Sequence, residues 1–175
     1  MRPMDPLDSP VSGVLAWSMA ALHCAKRLLA GGQKGIEQHP DALLLMLSLR
    51  NLVRAAEWRV KTVKGTPEEA TRRQAVADFL RRLPNLVDAR DVLEHFDEYG
   101  SGRGRIQQRA ASKGEVPAVY RFAVATEGVD VVIRVGPYRF NVALLQDACR
   151  ELTISLLALE EEPDRGQVEP SPYPG

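Results

Sequence analysis

The sequence predicts a mainly α-helical protein: an up-and-down bundle of four to five helices with a small antiparallel β-hairpin inserted before the last helix. Three observations carry this. Long segments repeat apolar residues at helical spacing. Over 119–141 the pattern switches to β-branched runs split by Gly-containing turns. Prolines and glycines fall between the periodic segments, where they punctuate elements. A length of 175 residues suits one domain over about 10–160. With 45% hydrophobic and 26% charged residues, the composition is that of a globular protein whose core needs no metal or disulfide.

Each element has a local reason. Residues 1–9 are rich in proline and acid and are expected to be disordered. Ser9 or Ser12 is placed to cap a first helix over 11–30, with Val11, Leu15, Ser18, Leu22, Ala25 and Leu29 on one stripe and Gly31-Gly32 ending it. Pro40 suits the first turn of a second helix reaching Val63. Leu45, Leu49, Leu52, Ala56, Val60 and Val63 form its stripe, widened by Leu43, Leu44 and Leu47. Thr66-Pro67-Glu68-Glu69 reads as a capping box, Thr66 and Glu69 exchanging side-chain bonds to each other's amides. The helix it starts turns Val76, Phe79, Leu80 and Leu83 inward until Pro84 breaks it.

A further helix is read over 85–99, stopped by Gly100, with a flexible basic loop at Ser101 to Arg105. Strands are read over 119–126 and 129–135 around a Glu127-Gly128 turn, with a third short strand at Tyr138 to Asn141. Asn141 caps a last helix to about 160, with Leu144, Leu145, Ala148, Leu156 and Leu159 apolar. The proline-rich acidic stretch 161–175 is expected to be disordered. Trp17 and Trp58 are expected in the core.

Charge and cysteine usage narrow the function classes. Lys+Arg and Asp+Glu are equal at 23, which argues against a protein that coats nucleic acid through bulk charge. Cys24 and Cys149 stand alone, forming neither a disulfide framework nor a metal motif, so reduced thiols and a cytoplasmic setting are expected. The longest apolar run, Ala42 to Leu47, falls far short of the ~20 residues of a membrane span. The first twenty residues, which include Asp5 and Asp8, lack a signal-peptide pattern.

The segment with chemistry in it is Arg90-Asp91-Val92-Leu93-Glu94-His95. Histidine, with an ordinary pKa of about 6.5, takes or gives a proton near neutral pH. On one ideal helix, Leu86, Ala89, Val92, Leu93 and Phe96 share a core arc, and Arg90 and His95 flank it about 140° apart. Asp91 and His95 are four apart, so the carboxylate is positioned to orient the imidazole; Arg90 and Glu94 are four apart as well. A plain surface ion pair and a solvated histidine account for the same spacing.

The run Leu86-Val-Asp-Ala-Arg-Asp-Val-Leu-Glu-His-Phe-Asp-Glu-Tyr99 resembles the signature of the HEPN superfamily, an arginine, a polar neighbour and a closely following histidine near the end of a late helix. Arg90, Asp91 and His95 match it, and the helical pattern of 11–99 and 142–160 accompanies it. The resemblance implies a metal-independent, cofactor-free endoribonuclease acting as a homodimer that brings one copy's arginine to the other's histidine, in a toxin or defence role. RNA would be the substrate, with an antitoxin or nucleotidyltransferase as partner. In that reading His95 serves as acid or base, Arg90 holds the phosphate and Asp91 orients the imidazole. Arg50, Asn51, Tyr99, Arg103 and Arg105 would contact substrate. The hairpin is an addition to the family's minimal bundle, and Tyr99 stands further behind the histidine than the tyrosine that some toxin members have modified. The alternative is a non-catalytic helical module that binds a protein partner or RNA, the motif being vestigial.

The remaining candidates have blander readings. Arg72-Arg73, Arg81-Arg82 and Arg109 read as a solvated face. Tyr120, Phe122, Tyr138 and Phe140 read as the alternating core faces of the hairpin. His23 and His39 lack metal-ligand spacing.

Overall fold

The computed structural model describes residues 9–31, 35–115 and 120–158. The expectations for the two ends of the chain, for Gly32 and for Val119 lie outside those residues, Ser9 apart. The architecture is the expected one, mainly helical with a small antiparallel sheet before the last helix. Helices α1 (Pro10–Leu29), α2 (His39–Thr62), α3 (Pro67–Arg82) and α7 (Val142–Leu157) make the bundle. Two shorter helices and a helical turn, α4 (Leu86–Glu94), α5 (Phe96–Gly100) and α6 (Arg105–Ser112), lead to strands β1 (Phe122–Glu127), β2 (Asp130–Val135) and β3 (Tyr138–Asn141). α1 packs along α2 and α7, α3 lies against the same two helices, and the sheet rests on α7.

Local chemistry fixes the ends. The Ser9 hydroxyl accepts from the Ser12 amide at 3.1 Å, and Gly31 closes α1 at φ +69°. Asn141 accepts from the Ala143 and Leu144 amides at 2.9 and 3.2 Å. The start of α3 departs from the expected capping box. Glu69 takes the Gly65 amide at 2.7 Å, the Thr66 hydroxyl donates to the Val63 carbonyl at 2.8 Å, and the Glu69 amide goes to the Thr66 carbonyl. A tight turn before Pro67 already occupies the Thr66 amide, so the carboxylate reaches one residue further back.

The buried face of α1 is rotated from the expected stripe. Ser18 and Ala25 belong to both, but the rest is Gly13, Val14, Ala21, Cys24 and Leu28, while Leu15 and Leu29 are exposed and Val11 is half-buried. Close approach to α2 explains this, since a Cβ on Gly13 would sit 3.3 Å from that of Ala55. Small residues let the backbones meet, and that outweighs the pull of two leucines at the rim. On α2 the long stripe holds from Leu45 to Val60, but Leu43 and Leu44 face outward and Ala42, Met46 and Val53 widen the core instead. Trp58 is exposed and Trp17 only partly buried. On α7, Leu145, Ala148, Leu152 and Leu156 are core and Leu144 is exposed; the helix ends at Leu157.

The sheet runs β1-β2-β3, all antiparallel. Phe122 and Val124 pair with Val135 and Ile133, which pair in turn with Tyr138 and Phe140, forming the inward aromatic face that was expected. Val132 on the other face is fully buried too, so β2 is covered on both sides. The hairpin loop is Gly128-Val129, one residue later than expected. Val129 is therefore at an exposed tip and outside the core. Cys24 and Cys149 are free and buried. Burial pushes the Cys149 thiol up to about 11, the opposite of a reactive thiolate. Among the described residues no helix is long and apolar enough to cross a membrane.

Candidate functional site

Pro84 ends α3, and Asn85 takes the left-handed conformation at φ +69° to launch α4 in a new direction. The helix expected over 85–99 does not run through. His95 leaves helical geometry at φ −120°, ψ 39°, and α5 begins after it. Leu86, Ala89 and Val92 remain core, Leu93 is partly buried, and Phe96 swings out to 74% exposure. Tyr99 takes the inner position at 2%.

That exchange has a chemical cause. The Tyr99 hydroxyl donates to Asp91 Oδ2 at 2.9 Å and accepts from the Ile106 amide at 3.4 Å. Its ring lies on Gly104, where any Cβ would come within 2.2 Å, and 4.8 Å from the ring of Tyr120. Gln107, on α6, donates to the Tyr99 carbonyl at 3.0 Å. Burial, and then Asp91, pushes the Tyr99 phenol up to about 12. Tyr120 and Tyr138 are raised as well, by burial and by the charge of Asp88.

The expected site residues therefore fall into separate groups. Asp91 is held by Tyr99 and lies 3.6 Å from Arg105. Its carboxylate serves the tyrosine, not the imidazole of His95, which corrects the role expected for it. Arg90, one residue earlier and so about 100° round the helix, is paired with Glu94 and lies within electrostatic reach of Arg50 on α2. His95 is half-exposed at the break, with Nδ1 4.0 Å from Glu98 Oε1. Arg103 is exposed and its Nε donates to the Ser101 hydroxyl. Asn51 lines an open cleft of about 240 Å³ with Gly13, Trp17, Arg54, Ala55 and Trp58.

Other parts of this region escaped the sequence. α6 has no counterpart in the sequence reading, whose basic loop ends at Arg105, although the capping Gln107 three residues after Gly104 was a signal for it. Nothing in the local pattern placed Tyr120 and Tyr138 beside α4. The arginines read as a solvated face are mostly ion-paired: Arg72 with Glu68, Arg73 with Glu69, Arg81 with Asp78 and Arg82 with Glu151. Arg72, however, is buried. His39 packs edge-on against Phe122 at 5.4 Å.

No protein-family model matches the chain, and no curated protein and no solved structure matches it.

Proposed function

We propose that this protein is a HEPN-like, metal-independent endoribonuclease acting as a cytoplasmic homodimer. The observation that carries the reading is the placement of Arg90 and His95. A half-exposed imidazole ends α4 at a helix break, less than two turns from a guanidinium that is four-fifths buried. His95 removes the proton of an RNA 2′-hydroxyl. The 2′-oxygen attacks the adjacent phosphorus, the bond to the 5′-oxygen breaks, and that oxygen takes up a proton. The products are a 2′,3′-cyclic phosphate and a 5′-hydroxyl. Arg90 stabilises the charge on the non-bridging oxygens, where its planar fork matches two of them. Asp91 acts at one remove by anchoring Tyr99 and, through it, the turn that carries His95.

Dimerisation supplies what one helix lacks. Arg90 and His95 diverge along α4, and a two-fold axis brings one copy's arginine to the other's histidine. The exposed side chains of Phe96 and Val87 on the same segment are apolar contacts of the kind such an interface buries. An antitoxin fits the role of a second partner. A nucleotidyltransferase acting on Tyr99 would first have to draw out a buried hydroxyl.

A second reading is supported by apolar surface away from this site. Met19 is 69% exposed and Trp58 lies open beside a cleft, as in a non-catalytic module that binds a protein partner. The test is cleavage of single-stranded RNA by purified protein in excess chelator. The ribonuclease reading expects cyclic-phosphate ends from wild type and none from His95→Ala at unchanged thermal stability. Equal cleavage by both proteins refutes it, and no cleavage by either leaves the binding module as the better account.

A further inference from the structure

α1 and α2 run antiparallel, with Arg27 bonded to Asp41 near one end and Gly13 against Ala55 near the other. Two tryptophans open onto the seam between them. Trp17 stands one turn beyond Gly13 and Trp58 nearly one turn beyond Ala55, and both line the cleft of about 240 Å³ with Asn51 and Arg54. They are the chain's two tryptophans. Trp58 is 44% exposed and Trp17 only partly buried. Because the helices point in opposite directions, the two residues are displaced oppositely along the seam, by about 10 Å in all at about 1.5 Å of rise per residue.

The chemistry of the cleft is one-sided. It offers two aromatic rings, and its polar groups are mainly donors: two indole N–H groups, the Asn51 amide and the Arg54 guanidinium. None of these four side chains makes a hydrogen bond or an ion pair among the described residues. A fitting ligand is apolar, rich in acceptors and poor in donors. A polyproline II segment has all three properties, since proline carries no N–H and the helix leaves its carbonyls unpaired. Aromatic-lined grooves take such segments at low entropic cost. One turn of that helix rises about 9 Å, which matches the offset between the two tryptophans.

The chain carries such a segment. Glu169-Pro-Ser-Pro-Tyr-Pro174 holds three prolines in six residues. At about three residues per turn, Pro170 and Tyr173 share an edge, one for each indole. Glu169 supplies a carboxylate for Arg54. α7 delivers the segment to the right end of the bundle. The Leu156 carbonyl accepts from Arg59 Nε at 3.4 Å, and Arg59 directly follows Trp58 on α2. Eleven residues separate Ala158 from Glu169. Their extended reach is about 35 Å, against a helix diameter of about 10–12 Å to be crossed.

We propose that the Trp17–Trp58 cleft is the docking site of the chain's own proline segment 169–174, bound as a polyproline II turn with Glu169 on Arg54. The proposal uses neither Arg90 nor His95 and stands whichever functional reading holds.

The two indole N–H resonances of the full chain, labelled with ¹⁵N-tryptophan, report on the cleft. Pro170→Ala, Pro172→Ala and Pro174→Ala combined should move both, with the circular-dichroism spectrum unchanged. A synthetic peptide of residues 166–175 should then return them saturably to their wild-type positions. On wild type the same peptide should act at least tenfold more weakly, because the tethered segment competes at an effective concentration of about millimolar. Arg54→Glu should release the segment as the triple variant does, and Glu169→Arg in the same chain should restore it. Resonances that stay still in the triple variant, or that move and do not return with peptide, overturn the proposal. If wild-type resonances drift on dilution to the positions of the triple variant, the occupant is the segment of a second copy, and docking within one chain is overturned. Should Arg54→Glu fail to fold, the triple variant and the peptide decide alone.

Discussion

Tyr99→Phe removes one oxygen from the centre of the α4–α5 region, and its consequences follow from the contacts of that oxygen. Asp91 would lose its 2.9 Å donor and keep only Arg105, at 3.6 Å. A hydrogen bond to a charged group contributes about 1.5–3 kcal/mol. The Asp91 side chain keeps 18% of its exposure, so water recovers part of this, and a loss of about 1–1.5 kcal/mol is expected at pH 7. In a chain of this length that lowers the melting temperature by about 2–6 °C. The alkaline limb supplies an independent check. The Tyr99 phenol titrates near 10 when unfolded and is pushed up to about 12 in the fold. Its folded pKa is the higher, so above pH 10 the unfolded chain releases a proton that the native state retains, and stability falls as pH rises toward 12. Fully developed, that span is worth at most about 2.7 kcal/mol. Wild type should therefore lose more stability than Tyr99→Phe between pH 9 and 11.5, and the two melting curves should converge. Tyr120 and Tyr138 shift the same way, but they are common to both proteins. Circular-dichroism melts across that range are the assay. Equal stability at pH 7, or a gap that fails to narrow with rising pH, refutes the account of Tyr99 as a buried donor to Asp91.

Other substitutions probe the same framework. Gly104→Ala places a methyl group 2.2 Å from the Tyr99 ring and should cost about 1–3 kcal/mol through overpacking, read by chemical denaturation. Asn141→Ala removes the acceptor for two amides at the start of α7 and should cost about 1 kcal/mol; an unchanged denaturation midpoint would show that the cap is dispensable. Phe96→Ser alters a side chain 74% exposed, so the monomer's melting temperature should hold while the proposed dimer, measured by sedimentation equilibrium, weakens at least tenfold.

The parts of the fold written in sequence were those decided locally. Ser9, Pro67, Pro84, Asn141 and the hairpin glycine each act within a few residues, and the corresponding boundaries fall within a few residues of expectation. Facing was harder to read, because it depends on what lies opposite. Leu15 and Leu44 look like core by hydropathy, yet the close contact of Gly13 with Ala55 rotates α1 to its small face. Asp91 shows the same limit at the candidate site. Four residues from His95, it was assigned to the imidazole on helical spacing alone. A tyrosine eight residues on claimed it, because the helix does not continue past His95.

The break at His95 links the two halves of this region. An unbroken helix would place Phe96 and Tyr99 on one arc, since 92, 96 and 99 are near neighbours at 3.6 residues per turn. The structure separates them, with the ring carrying a hydroxyl inside and the plain phenyl outside. A buried phenol needs a partner and finds one in Asp91, whereas a phenyl gains nothing from that carboxylate. The hydrogen bond thus selects which aromatic turns inward, and that choice exposes both His95 and Phe96 on the same short segment. Arg90 is set independently, by α2 and Glu94. The Tyr99 amide donates to the His95 carbonyl at 3.1 Å and its hydroxyl holds Asp91 on α4, so this one residue spans the break that sets the angle between Arg90 and His95. A change in RNA cleavage on mutating its hydroxyl would therefore report positioning, with the pH dependence of cleavage left as in wild type.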